Sequence, residues 1–424
     1  GDARIGPGGG RFPQCVPRIF ASYVFHEALR PRTALGGRGT HAGGPASVID
    51  VVEFNRLSDL VALRDDWQRL LRQTAGYSFF HTLEWLQASW ETYRGAQRLR
   101  ILAVRRDGQI VGIVPWCVRT EQRRIGPVRV LTYPLDDWGA FLGPLGPDPR
   151  GTIRAAIRHV CDAPRDWDMI DLRWVDEAAD EFLAIGEASR EAAFESRVFP
   201  RNLVRLCRTS GGWDQYEASR SRNWRRRMKH DLNTLEKVGP VRLQRYRPAA
   251  GAGSRDEHDG AFDLCAQLAA RSWQADDPSQ STLCSPRVAG MLREANRAAA
   301  GLGMLDANIL YVGDRPVAYN YNYVAEGRIY GLRCGYDATA GLESCGRVLL
   351  YLMIKDSFER GDQEYNFGPG RQEYKERFGT EMRYAYTFRH HARFSLRSQL
   401  LHLKQEVEEH LLPADVLTQR RLID

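Results

Sequence analysis

Several signatures are missing from this chain, and each absence removes a class of chemistry. It has no G-x-S-x-G elbow, no G-x-x-x-x-G-K-[ST] loop and no H-E-x-x-H pair, which sets aside serine hydrolases, phosphate-loop NTPases and zincins. The pair His390-His391 is not followed by the Asp of His-dependent acyltransferases, so a nucleophile triad is not expected. Eight cysteines at positions 15, 117, 161, 207, 265, 284, 334 and 345 form no C-x-x-C pair and have no matching His spacing. Neither a disulfide framework nor a metal site is indicated, and a reducing, cytoplasmic compartment is expected. No apolar run approaches the roughly 20 residues of a membrane helix. Basic and acidic residues nearly balance, at 60 against 53, and the net charge of +7 suits an anionic cofactor or substrate. It is too diffuse to imply nucleic acid by itself.

The length of 424 residues implies two domains plus tails. Residues 1–46 are rich in Gly, Pro and Arg, and the first methionine is Met169. They read as a disordered lead or an uncertain translation start, and Ile19 to Phe25 imitates a signal-peptide core only poorly. From Ser47 the pattern is globular. Thr82 caps a helix whose Leu83, Leu86 and Trp90 share a face. Arg100 to Val104, the turn Asp107-Gly108 and Ile110 to Val114 form a hairpin. A strand over Val128 to Tyr133 then leads to the polar loop Pro134 to Gly139, a helix over Thr152 to Val160 and a strand over Met169 to Leu172. In the loop, Asp136, Asp137 and Trp138 stand at a strand end, either as turn formers or as contacts to a substrate.

The densest signals lie between Leu310 and Arg389. An apolar run meets the turn Gly313-Asp314, and Val317 to Val324 alternates around Asn320, Asn322 and Tyr323. A second turn at Glu326-Gly327 precedes a strand over Ile329 to Tyr336. The period then becomes helical through Val348, Leu349, Leu352, Met353 and Phe358 until Gly361, and Glu364 to Phe367 returns to strand. Strand, crossover helix and strand imply a parallel pair, with the helix N-terminus beside the carboxyl end of the first strand, where ligands sit in such sheets. The opening Glu343-Ser344-Cys345-Gly346-Arg347 offers backbone N–H groups, a positive dipole end, a close-approach glycine and a guanidinium. It reads as a pyrophosphate cradle or as an ordinary crossover helix with a capping serine.

The order hairpin, strand, polar loop, helix, strand thus occurs twice, with Asp107-Gly108 and Gly313-Asp314 about 206 residues apart. Between the two lies Ser219 to Val238, with Arg220, Arg222, Arg225, Arg226, Arg227 and Lys229 over an apolar stripe of Trp224, Met228, Leu232 and Leu235. This is a basic amphipathic helix, either a solvated face or an anion-binding one. Two helices over His258 to Trp273 and Pro286 to Ala300 flank a polar loop, Ala275 to Ser285, placed to cover a cleft. A last helix spans Leu396 to Leu412; its His402, Glu406, Glu409 and His410 read as a solvated face rather than a metal site.

Glu364-Tyr365-Asn366-Phe367-Gly368, followed by Glu373-Tyr374-Lys375-Glu376-Arg377-Phe378-Gly379, resembles the CelD/BcsL-like branch of the GNAT acetyltransferase superfamily. The resemblance is clearest over Arg220 to Phe388. The usual phosphate loop of that superfamily is only partly present, because Leu342 to Arg347 supply one glycine. The resemblance implies an α/β chain with α+β-type mixed sheets, in the tandem arrangement of FemAB-like transferases with a cleft between the halves. The corresponding domains are 47–210, 211–395 and a terminal helix over 396–424. It also implies acetyl-CoA or another acyl-CoA as co-substrate, held by Arg333, Cys334, Gly335, Ser344, Cys345, Gly346 and Arg347. Glu373 would be the base, Tyr374 the acid or positioner and Lys375 an oxyanion or phosphate contact. Asp137, Trp138, Arg225, Arg226, Asn320, Asn322 and Tyr323 would hold a small-molecule or saccharide acceptor, of the kind met in cell-envelope or exopolysaccharide metabolism. Aminoacyl transfer from a charged tRNA, and a non-catalytic binding protein on a degenerate fold, remain as alternatives.

Overall fold

The computed structural model describes residues 48–411, except 94, 96, 135–137, 140, 193, 195, 278, 280 and 371. The lead over residues 1–46 and the loop residues Asp136 and Asp137 therefore lie outside the described residues. The first half runs β1 (Ile49–Phe54), α1 (Arg64–Gln73), α2 (Leu83–Tyr93), β2 (Gln97–Arg106), β3 (Gln109–Arg123), β4 (Gly126–Thr132), α3 (Pro149–Asp162), β5 (Met169–Asp176), α4 (Asp180–Glu191) and β6 (Ser196–Arg208). Two helices, α5 (Trp213–Ser219) and α6 (Arg222–Glu236), follow. The second half repeats the order as β7 (Val241–Tyr246), α7 (Arg255–Ala269), α8 (Pro286–Gly301), β8 (Leu305–Val312), β9 (Arg315–Ala325), β10 (Arg328–Tyr336), α9 (Cys345–Arg360), β11 (Glu364–Pro369), α10 (Glu373–Phe378) and β12 (Glu381–His391), with α11 (Leu396–Leu411) last.

The local reasons are those visible in the chain. Asp107 and Gly108 both take positive φ, 51° and 82°, so the β2–β3 hairpin turns tightly at the one place where a short polar residue precedes a glycine. Thr82 accepts from the Trp85 amide at the start of α2, and Ser254 and Glu257 cap α7 reciprocally. Gly361 closes α9 in the left-handed conformation at φ 75°, which a side chain there would oppose.

All twelve strands form one mixed sheet in the order β1-β2-β3-β4-β5-β12-β6-β11-β10-β9-β8-β7. Within each half one pair is parallel, β4 with β5 and β10 with β11; the other pairs are antiparallel. The last strand of each half crosses to the other: β12 pairs with β5, and β6 pairs with β11. The sheet therefore runs unbroken through the junction. Above it, Phe79 and Trp85 of the first half pack on Tyr323 of the second, with ring centroids 4.4 and 6.1 Å apart. These rings bury large area where the halves meet.

Candidate active site where two strands part

Strands β10 and β11 pair only from Arg328 with Glu364 to Tyr330 with Asn366. Beyond that point a bulge displaces β10 between Gly331 and Arg333, and another displaces β11 between Asn366 and Pro369. The strands diverge, and the backbone edge of β10 after Tyr330 has no strand partner on that side among the described residues. The apex is tight. A Cβ on Gly331 would stand 3.0 Å from both the Asn366 carbonyl oxygen and the Tyr365 hydroxyl, so a larger residue there would have to push them back. Gly368, at φ 72°, donates its amide to Asn366 Oδ1 at 2.8 Å and turns the chain out of β11.

Helix α10 then lays two side chains into the parting. The Tyr374 hydroxyl lies 3.8 Å from Cys334 Sγ on β10. Lys375 is buried, 4% exposed, and its ammonium donates to the carbonyls of Gly368 at 3.3 Å and Pro369 at 2.5 Å. Burial pulls its pKa down to about 8, with Arg333 adding repulsion. Burial pushes the Tyr374 phenol far above its ordinary value, so it stays protonated and able to donate. The Cys334 thiol is raised by burial as well. Glu373, on the same helix, points the other way: it is 74% exposed and paired with Arg377 at 2.5 Å. The second and third helical positions, not the first, face the parting, because successive residues of a helix point about 100° apart.

Arg333 extends from β10 toward the first half. Its guanidinium stacks over Trp138 at 4.7 Å, and it donates to the carbonyls of Ser281 at 2.9 Å and Leu332 at 2.7 Å. Trp138 is itself fixed by donating to Tyr93 at 2.8 Å. The structure thus joins two residues singled out separately in the sequence, and the loop carrying Ser281 reaches the site as its position suggested. No carboxylate forms an ion pair with Arg333 among the described residues, and burial lowers its pKa.

The remaining candidates fall elsewhere. Asn320 and Asn322, at 5% and 0% exposure, both accept from the Tyr365 hydroxyl, and Asn322 also donates to Asp306. Burial would raise Asp306, but Arg245 and Arg247 overcome it and hold the carboxyl at about 2. The two asparagines therefore serve a closed polar network, and Tyr323 is fully buried among the aromatic rings described above. These three are corrected from acceptor contacts to interior residues: on a strand buried on both faces, alternation puts polar groups in the core instead of in solvent. Gly335 is packed on Ser272 and Tyr319, where a Cβ would stand 2.9 and 3.0 Å from them.

At the start of α9, Cys345 is buried and donates its thiol to the Val317 carbonyl at 3.6 Å. Ser344 makes no side-chain cap, and Arg347 is held by Asp231 at 2.9 Å. Asp231, 3% exposed, also holds Arg227 at 3.0 Å. Arg347 thus shares the Asp231 carboxylate with Arg227, while Gly346 leaves room for close approach, its added Cβ meeting Tyr336 at 3.4 Å. The β10 edge beyond Tyr330 leaves backbone groups without a strand partner on that side among the described residues, which an extended ligand could pair with. The α9 entry does not form a glycine-rich phosphate loop.

The cations lie instead on α6. Trp224, Met228 and Leu235 are buried, whereas Arg225 and Arg226 are exposed. An open groove of about 1010 Å³ runs along the helix, lined by Arg220, Arg226, Arg227, Lys229, His230 and, from α10, Arg377. Among the described residues no group of three His, Cys, Asp or Glu is arranged to hold a metal, and no helix is long and apolar enough to cross a membrane.

Residues 222–376, just over a third of the chain, match the model of the acetyltransferase (GNAT) domain. No curated protein matches the sequence. Among solved structures, FemX is 11% identical with a TM-score of 0.52, covering 80% of this chain and 98% of its own. The L-PGS structure from Bacillus licheniformis is 13% identical with a TM-score of 0.49, covering 80% and 96%. A tandem GNAT protein from the clavulanic acid biosynthesis pathway is 10% identical with a TM-score of 0.41, covering 82% and 100%. The likeness to FemX is one of fold.

Proposed function

We propose that this acyltransferase moves an acyl group, acetyl or a longer one, from a coenzyme A thioester lying between β10 and β11 onto an amine or hydroxyl of a small or saccharide acceptor. The observation that carries the reading is the gathering of Cys334, Tyr374 and Lys375 at an unpaired strand edge inside the acetyltransferase domain. The acceptor's lone pair attacks the thioester carbonyl, the C–S bond breaks, and the departing thiolate takes the proton of the Tyr374 hydroxyl. The acceptor's own proton leaves to water, and Tyr374 is reprotonated from solvent. Burial keeps the Tyr374 phenol protonated, so its hydroxyl can hydrogen-bond to the sulfur as charge develops there, and positioning supplies much of the rest. Lys375 anchors the Gly368–Pro369 carbonyls and so fixes the width of the parting. Arg333 and Trp138 form the wall toward the first half, on the side where we place the acceptor. The CelD/BcsL-like assignment and a reducing, cytoplasmic setting belong to the same reading; the seven described cysteines are free thiols, which suits it.

A second reading, aminoacyl transfer from a charged tRNA, is favoured by one observation, the cation-lined groove on α6. Native mass spectrometry of the purified chain tests both. We expect bound CoA or acyl-CoA, lost when Tyr374→Trp fills the parting; a chain that binds no CoA but retains tRNA would overturn the thioester reading.

A further inference from the structure

Helix α11 is amphipathic in the inverted sense. Its inner side is polar: Ser398 is fully buried against His391 at 3.3 Å, Gln405 meets His391 at 3.4 Å, and Glu406 is held by Arg197. Arg397 donates to the Pro127 carbonyl at 2.8 Å and Gln399 to that of Ala392 at 3.0 Å, so the helix is fastened to the sheet mainly by hydrogen bonds. Among the described side chains of the helix, Leu401 is the apolar one that packs inward, on Val128, Val130 and Met169. The outer side carries the leucines. Leu396 is 77% exposed, Leu400 44%, Leu403 59% and Val407 47%, and Phe394 just before the helix is 90% exposed. A helix that buries serine and turns its glutamines toward the sheet while showing leucine to water has its apolar face in want of a cover.

The spacing says what kind. The exposed positions follow one another by four, three and four residues, which keeps them in a narrow seam along one side of the helix. A strict seam of this sort suits another helix, whereas a lipid surface takes a wide apolar face. One flank carries Arg397 and Lys404, and Glu406 on the opposite edge is already paired with Arg197 of the sheet. The seam and Phe394 together expose on the order of 500 Å² of apolar surface per chain, and two copies joined would bury about 1,000 Å², where specific interfaces begin.

We propose that α11 is a homodimer seam, in which Leu396, Leu400, Leu403 and Val407 of one chain pack against the same residues of a second copy about a two-fold axis. The face lies on the first half and outside the acetyltransferase domain, so the association is separable from transfer. Sedimentation of the full chain across the micromolar range tests it. We expect a species of twice the chain mass that dissociates on dilution. Leu400→Glu with Leu403→Glu should give a monomer with the circular dichroism of the parent, since both side chains are already exposed, and the single Leu403→Gln should weaken association at least tenfold. A wild type monomeric at every concentration, or a dimer indifferent to both variants, overturns the proposal. So does a monomer that co-sediments with vesicles of mixed neutral and anionic lipid, which would make the seam a membrane contact.

Discussion

Lys375 carries the sharpest consequence of a single side chain. Its ammonium is buried and satisfied only by main-chain carbonyls, and its pKa falls to about 8 from an ordinary 10.5. A lysine whose folded value lies below its unfolded value burdens the fold while it is protonated in both states. The burden is present below pH 8 and is relieved as pH rises from about 8 toward 10.5, because the unfolded chain then binds more protons than the folded one. Wild type should therefore gain stability relative to Lys375→Met over that window, by up to about 3 kcal/mol, measured by urea unfolding at a series of pH values. A constant difference between the two proteins would mean that the ammonium is not desolvated. Tyr374→Phe separates the neighbouring role: it removes one hydroxyl from a packed ring, so melting should shift little while acyl transfer falls roughly 10²-fold or more. Equal loss with Glu373→Gln, whose carboxylate faces solvent beside Arg377, would return the chemistry to Glu373.

Among the elements, α6 separates the two donors. Its apolar stripe is spent on the core through Trp224, Met228 and Leu235, and its outer face leaves Arg225 and Arg226 to solvent beside the groove. A CoA phosphate meets one or two such cations, whereas a tRNA backbone meets many and releases condensed counterions at each. The slope of log K against log salt therefore grows by roughly 0.7 to 0.9 per phosphate contact. We expect tRNA binding that fades near physiological salt, and acceptor or CoA affinity reduced by Arg225→Ala with Arg226→Ala. A tRNA slope of about 5 or more, abolished by that pair, would favour aminoacyl transfer. The elements themselves were largely legible in the sequence. The hairpins at Asp107-Gly108 and Gly313-Asp314, the helix ending at Gly361 and the stripe of α6 all rest on local periodicity and turn residues, which the chain shows openly. What faced the site was less legible. Tyr374 and Lys375 were readable from their motif, but the outward turn of Glu373 depends on how α10 sits on the sheet. Asn320 and Asn322 looked like an open polar strand face because their partners, Tyr365 and Asp306, are distant in the chain. The α9 entry reads in sequence as a phosphate cradle or an ordinary crossover helix, and the ion pair of Arg347 with Asp231 of another helix is not visible there.

At the scale of the molecule the exchange of β6 and β12 governs how the chain must fold, and alternation of residues along a strand gives no sign of which half a strand will join. Each half contributes its last strand to the other's sheet, so neither parallel pair is flanked on its inner side by its own chain segment alone. The Tyr365 and Cys207 backbones lie opposite one another, and the amide of Gly370, in the turn that carries the site, donates to Leu203 of β6 at 3.1 Å. The candidate site in the second half is thus held from behind by a strand of the first. If so, a division at residue 210 gives two pieces that each lack a strand, with an exposed sheet edge that invites aggregation. Urea unfolding of the whole chain should then be a single transition, with tryptophan fluorescence and far-ultraviolet circular dichroism coincident, because the central strands belong to both halves at once. The piece 211–424 alone should be insoluble or molten, and co-expression with 48–210 should restore a soluble complex that binds CoA. Two separate transitions, or a 211–424 fragment that folds and binds CoA by itself, would show that the shared strands are not what makes the two halves one folding unit.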